Sequence, residues 1–287
     1  MSAKILSGIV IRDEHLPILK EKFSAMSTKP ILTIIEVGNR PDTASFIRAK
    51  RSFAEKVGIE VRVISLKQDT KNAEIISLIK KENDDAIVGG IIVQLPLPEH
   101  LDKFAIIESI DPGKDVDALT SINVKKWLEN IHDSILPATA RGVRTMLHFY
   151  KINLEGKKVA VIGRSNLVGK PVAQMCQNEN ATVTVCHSKT VNLNQEILNA
   201  DIVISATGKI GLLNRDNVRA GQIIIDVGIN TMSDQKLELE GKRKIVGDAK
   251  FDEVSEIVNA ISPVPGGVGP LTVLSLFENL YDLNRVK

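Results

Sequence analysis

The sequence predicts an α/β protein made of two domains, each a parallel sheet covered by helices. Three observations carry that expectation. Short branched apolar runs alternate with amphipathic helical stretches, the alternation occurs twice, and 287 residues at 43% hydrophobic and 25% charged suffice for two buried cores. In the first series, residues 31–37, 61–66 and 87–93 are apolar and branched, as strands are. The second series has residues 158–162, 182–186, 202–205 and 223–227 as its strands. The joint is expected near Pro137–Thr139, with Thr139 capping a helix that reaches Tyr150. A last helix starts at about Leu271, and Leu271, Leu274 and Phe277 are spaced to bury one face against the first domain. The expected domains are therefore residues 1–138 together with helix 271–287, and residues 139–270.

Bulk properties narrow the function classes. Lysine and arginine total 37 against 35 acids, aromatic residues are 3% of the chain, and no basic run or aromatic cluster occurs, so a nucleic-acid partner is not expected. The two cysteines, Cys176 and Cys186, fit neither a metal-ligand pattern nor a disulfide framework. Reduced, buried thiols in a cytoplasmic protein are the expectation, with no metal. The apolar runs between Met1 and Arg12 are too short for a signal peptide or a membrane span, so no membrane partner is expected either.

Several segments carry chemistry. Residues 156–171 read as a strand, a glycine turn and a helix start, in which Gly163 and Gly169 bracket a turn whose amides can face phosphate oxygens. This is how a Rossmann-type dinucleotide fold opens, although the spacing is not G-x-G-x-x-G. The next strand ends in Cys186-His187-Ser188-Lys189, with no acid to hold a ribose 2′-hydroxyl. Ser188 and Lys189, with Arg164 in the preceding loop, suit a 2′-phosphate, so NADP is expected and NAD is the less favoured cofactor. His187, alone at a strand end, is expected to serve hydrogen bonding rather than catalysis. Glycines also follow strands at Thr207-Gly208 and at Asp226-Val227-Gly228-Ile229-Asn230.

In the front half, Phe46 and Lys50 lie four apart on a helical stretch and share one face. Gly89–Val93 ends in Gln94-Leu95-Pro96, which would hold Gln94 at the carboxyl edge of a sheet. Asp115 and Asp117 are two apart, so in an extended stretch both would face one pocket; the bland alternative is a solvated loop. Residues 262–272 hold three prolines and three glycines in eleven positions without a charge, the composition of a rigid wall set against something flat or apolar. Pro270 suits the first turn of the helix that follows.

Taken together, residues 44–50, 93–98, 114–117, 163–169, 186–188, 226–230 and 263–270 resemble the bifunctional methylenetetrahydrofolate dehydrogenase/methenyltetrahydrofolate cyclohydrolases, called FolD in bacteria, nearly end to end. The resemblance implies oxidation of 5,10-methylenetetrahydrofolate by NADP, hydrolysis of the methenyl product to 10-formyltetrahydrofolate, one cleft between the domains, and a homodimer. It implies that Lys50 is the central catalytic group, that Gln94 holds and tunes it, and that Asp117 binds the pterin. Phe46, Leu95, Pro265, Gly266 and Gly267 are expected beside these three against the folate, and Gly163, Arg164, Ser165, Ser188 and Ile229 against the cofactor. To act as a base near neutrality Lys50 must lose its proton far more readily than a solvated lysine, so Asp117 should not sit against it.

The chain departs from the family at Phe46, where tyrosine is usual, at Ala118, where glycine is frequent, and at Ala138 and Ala140. Loss of the tyrosine hydroxyl bears on hydrolysis more than on hydride transfer, which depends on bringing two rings together. Two alternatives follow from this departure: a dehydrogenase that has lost the cyclohydrolase step, and a catalytically silent folate- or nucleotide-binding protein.

Overall fold

The computed structural model describes residues 2–38, 41–232 and 244–285. The chain divides into two compact units, one of Met1–Arg12 with Thr139–Thr272 and one of Asp13–Ala138 with Val273–Lys287.

The second of these holds a three-stranded parallel sheet in the order β3-β2-β4, with β2 at Ile31–Val37, β3 at Val61–Leu66 and β4 at Val88–Val93. All of β4 and nearly all of β2 is buried, which is why both read as unbroken apolar runs. The crossovers are α2 (Pro41–Val57) and α3 (Asn72–Asp84), and α3 sets Ile75 and Ile79 into a core with Ile35, Val37 and Ile91. Short helices α4 (Lys103–Glu108) and α5 (Ser121–Leu128) follow. The last helix of the chain, Val268–Asn284, begins three residues ahead of the sequence expectation and keeps Pro270 in its first turn. From Val273 onward it packs within this unit. A side chain at Gly90 would strike Val116 and Leu280, so glycine there lets the helix lie directly on β4. Asn279 donates to the carbonyls of Val116 and Leu136, and Asn284 to that of Gly89, at 2.8–2.9 Å.

The other unit is a six-stranded, all-parallel sheet. Its strands are β1 (Lys4–Ile5), β5 (Lys158–Ile162), β6 (Thr182–Cys186), β7 (Ile202–Ser205), β8 (Ile223–Asp226) and β11 (Ala260–Ile261), in the order β1-β11-β8-β7-β5-β6. Helices α7 (Gly169–Asn178) and α8 (Leu193–Asn199) make the crossovers, and the small hairpin β9 (Asn230–Met232) and β10 (Lys244–Val246) leaves β8 ahead of α9 (Phe251–Ser255). Cys176 and Cys186 are free and buried, and burial pushes the Cys176 thiol up to about 12, so it stays protonated and inert.

Two expectations need correction, and one helix had no expectation at all. Residues 1–12 belong with the later unit, because β1 pairs with β11 and the Ser7 amide bonds to Tyr150 Oη at 2.8 Å. Such pairing over 250 residues leaves no local trace in the sequence. Helix α1 (Gly8–Ser24) was not foreseen; it holds Pro17 in its interior and exposes Ile9, Val10 and Ile18. Helix α6 (Ala138–Phe149) already includes Thr139, which is therefore not its cap.

Candidate active site

In the smaller sheet, α2 leaves the carboxyl end of β2 and Gln94 sits just past the end of the neighbouring β4, its backbone N–H donating to the Ile35 carbonyl at 2.8 Å. Residues 114–116 run beside β4 through a parallel bridge between Asp115 and Ile91. Three separate segments thus converge on one edge.

Lys50 Nζ donates to Gln94 Oε1 at 2.9 Å, and Gln94 Nε2 donates to the Leu95 carbonyl at 3.0 Å. The second bond fixes which way the amide faces, so its oxygen is presented to the lysine. Burial lowers the Lys50 pKa, and the negative charge of Asp117 opposes that shift. An amide partner suits a base: its oxygen accepts from NH₂ as well as from NH₃⁺, whereas a carboxylate would favour the charged form. The expectation that Asp117 keeps away from Lys50 holds only in part, since the two feel each other's charge without forming an ion pair.

The two aspartates are not equivalent. Asp115 is fully buried and accepts from the Thr120 amide, Thr120 Oγ1 and Asn123 Nδ2 at 2.8–3.0 Å, so it ties the 115–123 turn together and is closed to solvent. Among the described residues no hydrogen bond reaches the Asp117 carboxylate. Burial raises its pKa, the Lys50 charge lowers it, and Asp115 raises it further. A carboxylate so placed can accept paired N–H donors from a ligand. Phe46, one turn before Lys50, is 43% exposed, which leaves its ring open for stacking.

In the larger unit the carboxyl ends of β5, β6, β7 and β8 lie side by side, with Ile162 opposite Cys186 and Ser205, and Ser205 opposite Asp226. Strand β5 is followed in the chain by β6 on one side and flanked by β7 on the other, so the sheet's switch point falls at its end. Gly163, at φ +120°, lies so close to the Ala206 carbonyl that a side chain would strike it, and one at Gly169 would strike Gly163. The turn must stay bare, and Ser165 Oγ accepts from the Val168 and Gly169 amides, which leaves its own hydrogen free to donate. Arg164, Ser188 and Lys189 are exposed at this edge, while His187 Nδ1 accepts from the Lys189 amide and shapes the second turn. A bare glycine turn, a helix start and cationic side chains without an acid fit a dinucleotide carrying an extra phosphate. Ile229 is 49% exposed beyond β8.

The proline-glycine segment serves packing as well. Gly267 is buried, and its carbonyl fills the place a side chain at Gly8 would need, while the Gly8 and Ile9 amides bond to the Gly266 carbonyl at 2.9 and 3.2 Å. Only Pro265 of Pro265, Gly266 and Gly267 is well exposed. Sequence reasoning missed Asp248, which is fully buried beside Asp226 at the carboxyl edge; the only local hint was its place after a glycine. Burial, and secondarily the Asp248 charge, raise Asp226 to about 6 against the pull of three amide donors.

Among the described residues no group of three or more histidine, cysteine or acidic side chains could hold a metal, and no helix is long and apolar enough to cross a membrane.

The family model of the tetrahydrofolate dehydrogenase/cyclohydrolase catalytic domain matches residues 6–117, and that of its NAD(P)-binding domain matches residues 137–287. The bifunctional protein FolD of Lactobacillus acidophilus is 43% identical over 286 residues, covering 98% of this chain and 97% of that protein. The crystal structure of FolD from Campylobacter jejuni superposes with a TM-score of 0.94 at 39% identity, covering 100% of both chains. The Trypanosoma brucei enzyme, solved with NADP cofactor and inhibitor, gives 0.94 at 32% identity, covering 100% of this chain and 99% of that one. With both halves matched in order and at this similarity, the chain belongs to the tetrahydrofolate dehydrogenase/cyclohydrolase family.

Proposed function

We propose that this protein oxidises 5,10-methylenetetrahydrofolate to the methenyl compound with NADP and then hydrolyses that product to 10-formyltetrahydrofolate. The observation that carries the reading is the buried Lys50 amine held by the Gln94 side-chain oxygen, in a chain whose relatives are bifunctional FolD proteins. Bound NADP supplies the hydride acceptor; the chain supplies the rest.

In this reading Gly163, Arg164, Ser165 and Ser188 hold the phosphate-bearing cofactor, and Ile229 covers it. Asp117 accepts the pterin's paired N–H groups, while Phe46 and Leu95 line the flat folate. Neutral Lys50 takes a proton from the attacking water as the new C–O bond forms. Ring opening follows, with the C–N electron pair returning to nitrogen, which gains a proton. The cationic methenyl group also disfavours the ammonium form, which aids the lysine as acceptor.

Purified protein given methylenetetrahydrofolate and NADP is expected to produce reduced cofactor, and supplied methenyltetrahydrofolate to lose its absorbance faster than in buffer. Absence of signal with either nicotinamide cofactor defeats the dehydrogenase reading, and folate binding without turnover would instead favour a silent binding protein.

Phe46→Tyr is expected to raise methenyl hydrolysis by about 2- to 12-fold, the worth of one hydrogen bond of ~0.5–1.5 kcal/mol, and to change hydride transfer less. Equal gains in both rates would remove the special role of the missing hydroxyl.

The family's dimer, formed through the dinucleotide-binding units, belongs to the same proposal, as does residence in the cytoplasm. Exposed Met232 and Ile245 on the β9–β10 hairpin support the dimer. Light scattering that reads a monomer would reject it.

A further inference from the structure

The carboxyl edge of the six-stranded sheet holds a buried acidic knot that the reaction chemistry does not use. Asp248 Oδ2 accepts from Ser205 Oγ, the Thr207 amide and Thr207 Oγ1 at 2.7–2.8 Å. Its Oδ1 accepts from the Lys209 amide at 2.9 Å and from Asn230 Nδ2 at 3.1 Å. Asp226 holds Asp248 in turn: Oδ1 accepts from the Gly228 and Asp248 amides, and Oδ2 from the Ala249 amide, at 2.8–3.0 Å. The fit is reciprocal, since a side chain at Gly228 would strike the Asp248 carboxylate and one at Gly247 would strike that of Asp226.

With five donors on its two oxygens and no exposed surface, Asp248 cannot reach a ligand. What it fixes is the turn from Ser205 to Lys209, the continuation of β7. That turn flanks the switch point, and its Ala206 carbonyl abuts the bare Gly163 of the dinucleotide turn. Hydride transfer is steeply sensitive to placement, with about 1 Å of error costing on the order of 100-fold.

We propose that Asp248 is a positioning residue for the hydride-transfer step: its carboxylate locks the Ser205–Lys209 turn, which forms the β7 wall of the dinucleotide crevice. The inference rests on the dehydrogenase reading above. Asp248→Asn preserves size but turns one acceptor into a donor that faces donors, so the lock cannot close.

The test uses both half-reactions of the full chain, with the wild type assayed first. An inactive wild type would sink the functional reading itself, separately from this inference. Given an active wild type, Asp248→Asn is expected to lower kcat/KM for methylenetetrahydrofolate oxidation on the order of 100-fold. Hydrolysis of supplied methenyltetrahydrofolate needs no dinucleotide and should stay within about 3-fold. In the dinucleotide-free variant, amide exchange at Thr207 and Lys209 should accelerate about tenfold or more, while that of the β5 amides stays unchanged. Exposed Thr207 gives a milder version should Asp248→Asn fail to fold: Thr207→Val should slow oxidation alone, and Thr207→Ser should restore it. Parallel loss of both half-reactions, or oxidation that is unaffected, would overturn the proposal.

Discussion

Lys50→Gln is expected to lower methenyltetrahydrofolate hydrolysis on the order of 10²- to 10⁴-fold, the range that a positioned general base contributes. The substituted amide fills similar space and can still bond to Gln94, but it cannot accept the water's proton. The pH dependence follows from the same group. In the proposed role Lys50 acts in its neutral form; its pKa is lowered by burial, so the wild-type rate should rise with pH through a midpoint below that of a solvated lysine. Lowering the pH protonates it and removes the base. A rate that falls as pH rises over that span, or a Lys50→Gln protein that hydrolyses at the wild-type rate, would rule out this role. Gln94→Glu should move the midpoint upward, because a carboxylate in place of the amide favours the ammonium form.

The largest structural effect is expected at Phe277. Its ring is fully buried in the last helix and lies 5.1 Å from the Phe53 ring, tilted by 34°. Phe277→Ala removes that contact and leaves a cavity in a close-packed core, at a cost of about 3–5 kcal/mol. Against a typical total of about 5–15 kcal/mol, that is enough to lower the unfolding midpoint far. The chain's single tryptophan, Trp127, is buried in the same unit and donates to the Ala118 carbonyl at 3.2 Å. Its fluorescence in urea therefore follows this unit without the other, which matters because a chain of two units need not unfold in one step. A Phe277→Ala midpoint equal to the wild type's would show that the helix is held elsewhere.

Much of this architecture was legible because buried parallel strands leave a local signature. The runs at 31–37, 158–162 and 202–205 coincide with the buried strands β2, β5 and β7, whose branched apolar residues lie on both faces, and those at 61–66 and 182–186 coincide with β3 and β6, edge strands that are only partly buried. The buried face of Leu271, Leu274 and Phe277 was equally plain from spacing alone. Helix α1 was not, because Pro17 interrupts its pattern and its apolar residues point both inward and outward. The two-residue strands β1 and β11 are too short to show any period.

The candidate site divides along the same line. Sequence alone determined that a helix lysine, a strand-end amide, an aspartate pair and a bare glycine turn exist at the right places in the chain, since each is a matter of residue type and local spacing. Only the tertiary structure decided that Asp115 is consumed by Thr120 and Asn123 while Asp117 stays open, that Gln94 grips Lys50, and that Asp248 pins a turn some forty residues earlier. Periodicity records which face of an element avoids water. Which partner satisfies a buried polar group depends on what distant segments bring to it, and two aspartates with the same local pattern part ways on that alone.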